Sequence, residues 1–115
     1  MGKRQFRSVL EFNFSPYDCL MELDQFQRLM ASTYGERDEA RGLPATIAWL
    51  TEELGELAQA TRKGSRDQQL LELSDVLAWL ASLANQLGLS LDDAAMRYSD
   101  GCPKCGGIPC ACAPG

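Results

Sequence analysis

The chain has no histidine. That absence removes imidazole bases, histidine-activated nucleophiles and every histidine metal site. β-Branched residues are few while leucine and alanine are prominent, a balance that favours helices over strands. Long apolar runs are missing as well. Charged and polar residues recur every few positions, so no stretch spans a bilayer and no membrane partner is expected. Glu11, Asn13 and Asp18 interrupt the start of the chain, which therefore lacks a secretory apolar region. The expectation is a soluble, cytoplasmic protein. An excess of base is also lacking: 11 Lys and Arg stand against 16 Asp and Glu, for a formal charge of −5. Nucleic acid, which needs a basic footprint, is not an expected partner.

What is present fits one helical domain in 115 residues. Residues 1–21 fit no clean period and read as an N-terminal extension, the other option being a strand or arm packed on a partner subunit. Residues 22–98 form the helical domain, and residues 99–115 a tail rich in Cys, Gly and Pro. The predicted fold is all-α, an antiparallel bundle of about four helices with a Cys-rich C-terminal tail. Leu23, Phe26, Leu29, Met30 and Thr33 space a first helix over roughly 22–34, with Gly35 as its left-handed cap and 36–42 as a charged connection. A second helix begins near Ala45 with Ile47, Leu50, Leu54, Leu57 and Thr61 as its core stripe. A third, roughly Asp67 to Leu87, carries Leu73, Val76, Leu77, Leu80, Ala84 and Leu87. Ser90 and Asp93 resemble the cap of a short fourth helix to about Tyr98.

The second and third helices carry the chemistry. Folded antiparallel about Gly64, Glu53 and Asp75 are equidistant from the turn, as are Glu56 and Glu72, and as are Trp49 and Trp79. The acids then line the seam between the helices. A solvated helix face normally places bases four residues from its acids, but those positions hold Glu56, Leu57, Ala60, Val76 and Trp79. Two carboxylates at ~5 Å repel by roughly 3 kcal/mol at an effective dielectric of about 20. A cation offsets that cost. Oxygen ligands alone suit Mg²⁺ or Mn²⁺, and Mg²⁺ favours sites shared with substrate phosphates. Removing Glu52, Glu53, Glu56, Glu72 and Asp75 leaves 11 acids against 11 bases, so these five account for the net charge.

Glu52-Glu53-x-x-Glu56, a spacer, then Glu72-x-x-Asp75 resembles the signature of the MazG-like, all-α nucleotide pyrophosphohydrolases. The likeness extends over about residues 22–98 and includes Trp49 and the run Asp75-Val76-Leu77-Ala78-Trp79. It implies Mg²⁺-dependent hydrolysis of a nucleoside triphosphate to the monophosphate and pyrophosphate, by attack of water at the α-phosphorus. It implies that Glu53, Glu56, Glu72 and Asp75 hold the metal, with Glu52 a further ligand or the carboxylate that orients and deprotonates water. Glu52 and Glu53 are thus the candidate catalytic residues. Homodimers or homotetramers are implied too. Many members carry Lys and Asn on the fourth helix for phosphate contacts; here only Arg97 stands there, with Arg62 and Lys63 near the turn. Trp49 and Trp79 are read either as packing at the core edge or as a stacking wall for the base. Gln27 is read as surface, or as a reader of a base edge.

Cys102-Pro103-Lys104-Cys105 and Cys110-Ala111-Cys112 place four thiols around a Gly-Gly turn, a zinc-knuckle pattern suited to Zn²⁺; disulfides or a redox pair are the alternatives. Cys19 stands alone. A function of a different class also fits this sequence: a non-catalytic oligomeric helical module whose zinc tail binds a protein or nucleic acid.

Overall fold

A computed structural model describes residues 20–114 of the chain; the expected N-terminal extension, apart from Leu20 and Met21, lies outside the described residues, Cys19 with it. Four helices follow in order: α1 (Leu23–Arg41), α2 (Leu43–Lys63), α3 (Arg66–Leu87) and α4 (Leu91–Met96). No helix among the described residues is long and apolar enough to cross a membrane.

The α2–α3 hairpin turns where the sequence places it, and two devices make the turn. A Cβ on Gly64 would meet the Ala60 carbonyl oxygen at 2.8 Å, so only glycine lets the chain fold this closely over the last turn of α2. Ser65 then starts α3 by accepting from the Gln68 amide at 3.2 Å, while the Gln68 side chain accepts from the Ser65 amide at 2.8 Å. Gln69 adds a bond to the Ala60 carbonyl at 3.1 Å. Trp49 and Trp79 meet at the other end with ring centroids 6.0 Å apart.

α1 differs from its predicted extent. Gly35 lies inside the helix, which continues six residues further, and Gly42 at φ 85° makes the break instead. A helical glycine costs about 1 kcal/mol relative to alanine, too little to stop a helix whose next turns are anchored. The anchors are tertiary. Asp38 is only 2% exposed, its backbone oxygen accepts from Gln86 Nε2 at 2.7 Å, and its carboxylate pairs with Arg41 at 2.7 Å. Pro44 then enters the first turn of α2, where it needs no amide partner.

α1 is held across α3 at its other end by Gln27, which is neither a surface residue nor free to read a base. Its amide donates to Asn85 Oδ1 at 3.0 Å and to the Leu89 carbonyl at 2.8 Å, and its oxygen accepts from the Leu91 amide at 2.8 Å. α4 stops at Met96, two residues before the predicted end. The chain there tightens into short turns, with Ser99 bonded to Met96 and Gly101 to Tyr98.

Among the described residues the core is small and made of small side chains. Ala60, Ala81, Ala84, Thr46 and Ser82 are buried. Of the predicted core stripes Ala84 is buried, but Ile47 and Leu54 on α2, and Leu73, Leu77, Leu80 and Leu87 on α3, are exposed, Leu54 by 50% and Leu73 by 52%. α1 covers α3 along its Ala81–Ser82–Ala84 strip, and within the described residues no further helix closes over the leucines.

Candidate active site and cysteine cluster

The hairpin brings Glu53, Glu56 and Glu72 together. Each offers a carboxylate oxygen within 4.8 Å of the others, close enough to share one cation. Glu53 and Glu72 are half-buried, and Oε2 of each is shielded from solvent with no hydrogen-bond partner. Such orphaned oxygens are costly in a dry site and are what a cation would satisfy. Burial pushes the Glu53 carboxyl up to about 7, helped by the hydrogen bond and charge of Glu56 and by the charges of Asp75 and Glu72. Glu72 is raised for the same reasons, burial first and Glu56 next. Among the described residues no Lys or Arg forms an ion pair with these acids; the pairs there are Arg28–Asp24 and Arg41–Asp38. The donor set therefore fits a hard divalent cation.

Asp75 stands at the edge of the cluster, near enough to raise both Glu53 and Glu72, and it also lines an adjoining open cavity of about 260 Å³. Tyr34, Arg37, Asp38 and Arg41 of α1 form the facing wall, with Ala78, Trp79 and Ser82 alongside Asp75 on α3. Arg41 lies over the Trp79 ring, 4.6 Å from its centroid. Trp79 thus meets both Arg41 and, at 14° between planes, Trp49. Indoles at that separation are in contact, which leaves no gap between them for a base.

The remaining expected residues lie elsewhere. Glu52 is exposed on α2 and outside the three-carboxylate group. Lys63 ends α2 and is exposed, as is Arg62. Arg97 hydrogen-bonds the Tyr98 hydroxyl at 3.0 Å and packs on its ring, and it does not line the cavity. The wall supplied by α1 has no counterpart in the expected site, because it exists only if 36–42 is helix rather than connection. Tyr34, Asp38 and Arg41 fall at i, i+4 and i+7, a helical stripe that is the one sequence signal for it.

Cys102, Cys105, Cys110 and Cys112 also converge, with all four sulfurs within 4.8 Å of one another and none in a disulfide. Cys102 and Cys112 sulfurs are 3.7 Å apart, those of Cys105 and Cys110 3.9 Å. Backbone amides of Ala111 and Gly107 donate to Cys105 Sγ at 3.3 and 3.4 Å, and these bonds hold its thiol down at about 6. Backbone amides likewise lower Cys102, whereas the neighbouring sulfurs push Cys112 up to about 11. Gly107 is needed for this fold-back, since a Cβ there would meet the Pro109 oxygen at 2.7 Å and Cys105 Sγ at 3.3 Å.

A family model described as the MazG nucleotide pyrophosphohydrolase domain matches residues 41–103. That span takes in α2, α3 and α4, with Glu52, Glu53, Glu56, Glu72 and Asp75, but only the last residue of α1 and the first of the four tail cysteines. No curated protein gives a significant match. With more than half of its length matched and the acidic hairpin formed, the chain belongs to the MazG nucleotide pyrophosphohydrolase family.

Proposed function

We propose that this protein is a divalent-metal-dependent nucleoside triphosphate pyrophosphohydrolase, which cleaves its substrate to the monophosphate and pyrophosphate. The observation that carries the reading is the convergence of Glu53, Glu56 and Glu72 with two buried, unpartnered oxygens, inside the span matched by the family. Glu53, Glu56, Glu72 and Asp75 are the residues that would hold Mg²⁺ or Mn²⁺. A cation there supplies shielding of phosphate charge and makes water more acidic. The chain's own work is to orient the triphosphate and to take a proton from the attacking water. With no histidine, a carboxylate must accept that proton. Glu52, solvent-exposed beside the cluster, and Glu53, within it, are the two acceptors. Trp79 would meet the nucleotide from the cavity wall, with Trp49 stacked against it rather than across a gap.

The test is a panel of NTPs and dNTPs with Mg²⁺, assayed for pyrophosphate against orthophosphate. Pyrophosphate release is expected; no turnover of any nucleotide by folded protein would sink the reading. Glu53→Gln and Asp75→Asn should each abolish turnover without unfolding. Glu52→Gln separates its two roles, since a base would lose turnover with metal affinity intact, while a ligand would lose both.

The tail is proposed as a Zn²⁺ site formed by Cys102, Cys105, Cys110 and Cys112. Four converging free thiols and amide bonds to Cys105 Sγ support tetrahedral thiolate coordination. Zinc analysis of the Cys102→Ser/Cys105→Ser double variant checks it, and unchanged metal content would rule the site out. A homodimer or homotetramer is proposed as well, in a cytoplasmic setting. The exposed Leu54, Leu73, Leu77 and Leu80 support it, and a cavity below the usual 300–1,000 Å³ of ligand sites suits a pocket completed by a second copy.

A further inference from the structure

A triphosphate approaching the acid cluster meets a wall of like charge, and a cation alone neutralises only part of both. The basic residues expected to help, Arg97 and Lys63, do not line the cavity beside Asp75. Two others do. Arg37 and Arg41 stand one helical turn apart on α1, across that cavity from Asp75. Arg37 is exposed and forms no ion pair among the described residues. Arg41 is fixed. Its Nη1 donates to Asp38 Oδ1 at 2.7 Å and to Thr46 Oγ1 at 3.4 Å, and Trp79 lies against its plane. Those bonds use one nitrogen of the fork, so Nη2 and Nε keep donors for an anion.

We propose that Arg37 and Arg41 clamp the pyrophosphate portion of the nucleoside triphosphate, with Asp38 as the positioning residue that sets the Arg41 fork. The inference rests on the pyrophosphohydrolase reading for the substrate's identity, but the anion site itself does not need turnover to be seen. Guanidinium forks match phosphate oxygens two at a time, which orients the leaving pyrophosphate as well as attracting it. Asp38 is a costly way merely to end a helix. Its carboxylate is almost wholly buried, and one oxygen is left without a partner. The return on that cost is a rigid Arg41 at the cavity wall. Arg37, exposed one turn earlier, supplies the other half of the clamp. α1 lies outside the matched span except for Arg41, so the family match does not itself assign these contacts.

The experiment uses the full chain loaded with Mn²⁺, titrated with inorganic pyrophosphate in a calorimeter, beside kinetics on the nucleotide it turns over best. Arg37→Ala and Arg41→Ala should each weaken pyrophosphate binding by about 10- to 100-fold, the loss of one charge-assisted contact. KM should rise by a similar factor with kcat changed much less. Affinity for Mn²⁺ alone should be unchanged, and Arg28→Ala, on the exposed Asp24 pair, should match the parent throughout. Arg41→Lys should recover only part of the loss, and Asp38→Asn should weaken binding through Arg41 without altering the Arg37→Ala effect. Arg37 forms no ion pair among the described residues, so Arg37→Ala remains decisive if Arg41→Ala fails to fold. Parent affinity for pyrophosphate and parent KM in Arg37→Ala would overturn the clamp while leaving hydrolysis intact. Absence of pyrophosphate binding by the parent protein would overturn it too. Arginine-dependent binding with no turnover would keep the clamp and remove the hydrolase reading instead.

Discussion

Glu53 carries the clearest consequence at the scale of single residues. Its carboxyl has an ordinary value of 4.5 and is held near 7 in the folded chain, by burial first and by Glu56 next. Between those values the folded state keeps a proton that the unfolded state has released. The stabilisation from this group is therefore complete below about pH 4.5 and is lost as pH rises through about 7. Metal-free protein should show a melting temperature that falls across that window. Glu53→Gln should flatten the fall, since a neutral amide has no proton to lose. Added Mg²⁺ should matter little at about pH 5 and raise the melting temperature at about pH 8, where it replaces the missing proton. A melting temperature independent of pH in the metal-free parent, or one that rises through the window, would contradict this account. At the same scale the four thiols differ in kind. Cys105, held at about 6 by two amides, should react first with a thiol-directed alkylating agent in the metal-free protein. Zinc should protect it. Equal rates at all four tail cysteines would argue against the amide-bonded geometry.

The elements show how far local sequence carries and where it stops. The hairpin, its turn and the convergence of Glu53, Glu56 and Glu72 are legible because each follows from spacing about Gly64 and from caps beside it. The end of α1 is not, because a Tyr-Gly pair followed by charged residues looks the same whether a helix ends or continues. What decides is the set of contacts that Asp38 and Arg41 make with Thr46, Gln86 and Trp79, the last two far away in sequence. The cavity wall is hidden for that same reason, since Arg37 and Arg41 face Asp75 only if the helix runs on. Glycine substitution separates the two kinds of position. Gly35 sits in a helix interior where an added Cβ would meet nothing within 4 Å. Gly35→Ala should therefore stabilise by about 1 kcal/mol and raise the melting temperature by about 4–8 °C. Gly64→Ala should do the reverse, by about 1–3 kcal/mol, because its Cβ would press on the Ala60 backbone. Thermal unfolding of both variants checks the helix extent and the turn together. A Gly35→Ala variant less stable than the parent would restore the break at residue 35.

On the scale of the whole molecule, the periodicity of α2 and α3 correctly marks apolar stripes but cannot say what covers them. Leucine at helical spacing reads as core in any sequence, yet here a single chain buries mainly alanine, threonine and serine while Leu54, Leu73, Leu77 and Leu80 remain open. Helical bundles of this size ordinarily bury such side chains, each worth about 1.5–3 kcal/mol on full burial. A second copy presenting the same stripes would bury several at once, by the self-complementary contact that two-fold symmetry requires. It would also close the cavity that α1 and α3 leave open. Light scattering after size exclusion should therefore give a dimer or tetramer. Leu73→Glu, which places charge on the most exposed of the α3 leucines within the hairpin, should shift the mass toward the monomer and lower the melting temperature. Turnover should fall with it, while metal affinity per chain persists, because Glu53, Glu56 and Glu72 come from one hairpin. The order of those losses is the informative part. A monomeric parent that hydrolyses nucleotide would show that the leucine face is not needed for the pocket. Loss of metal binding together with mass would show that the second copy holds the acids in place, and that the hairpin is not a sufficient metal site by itself.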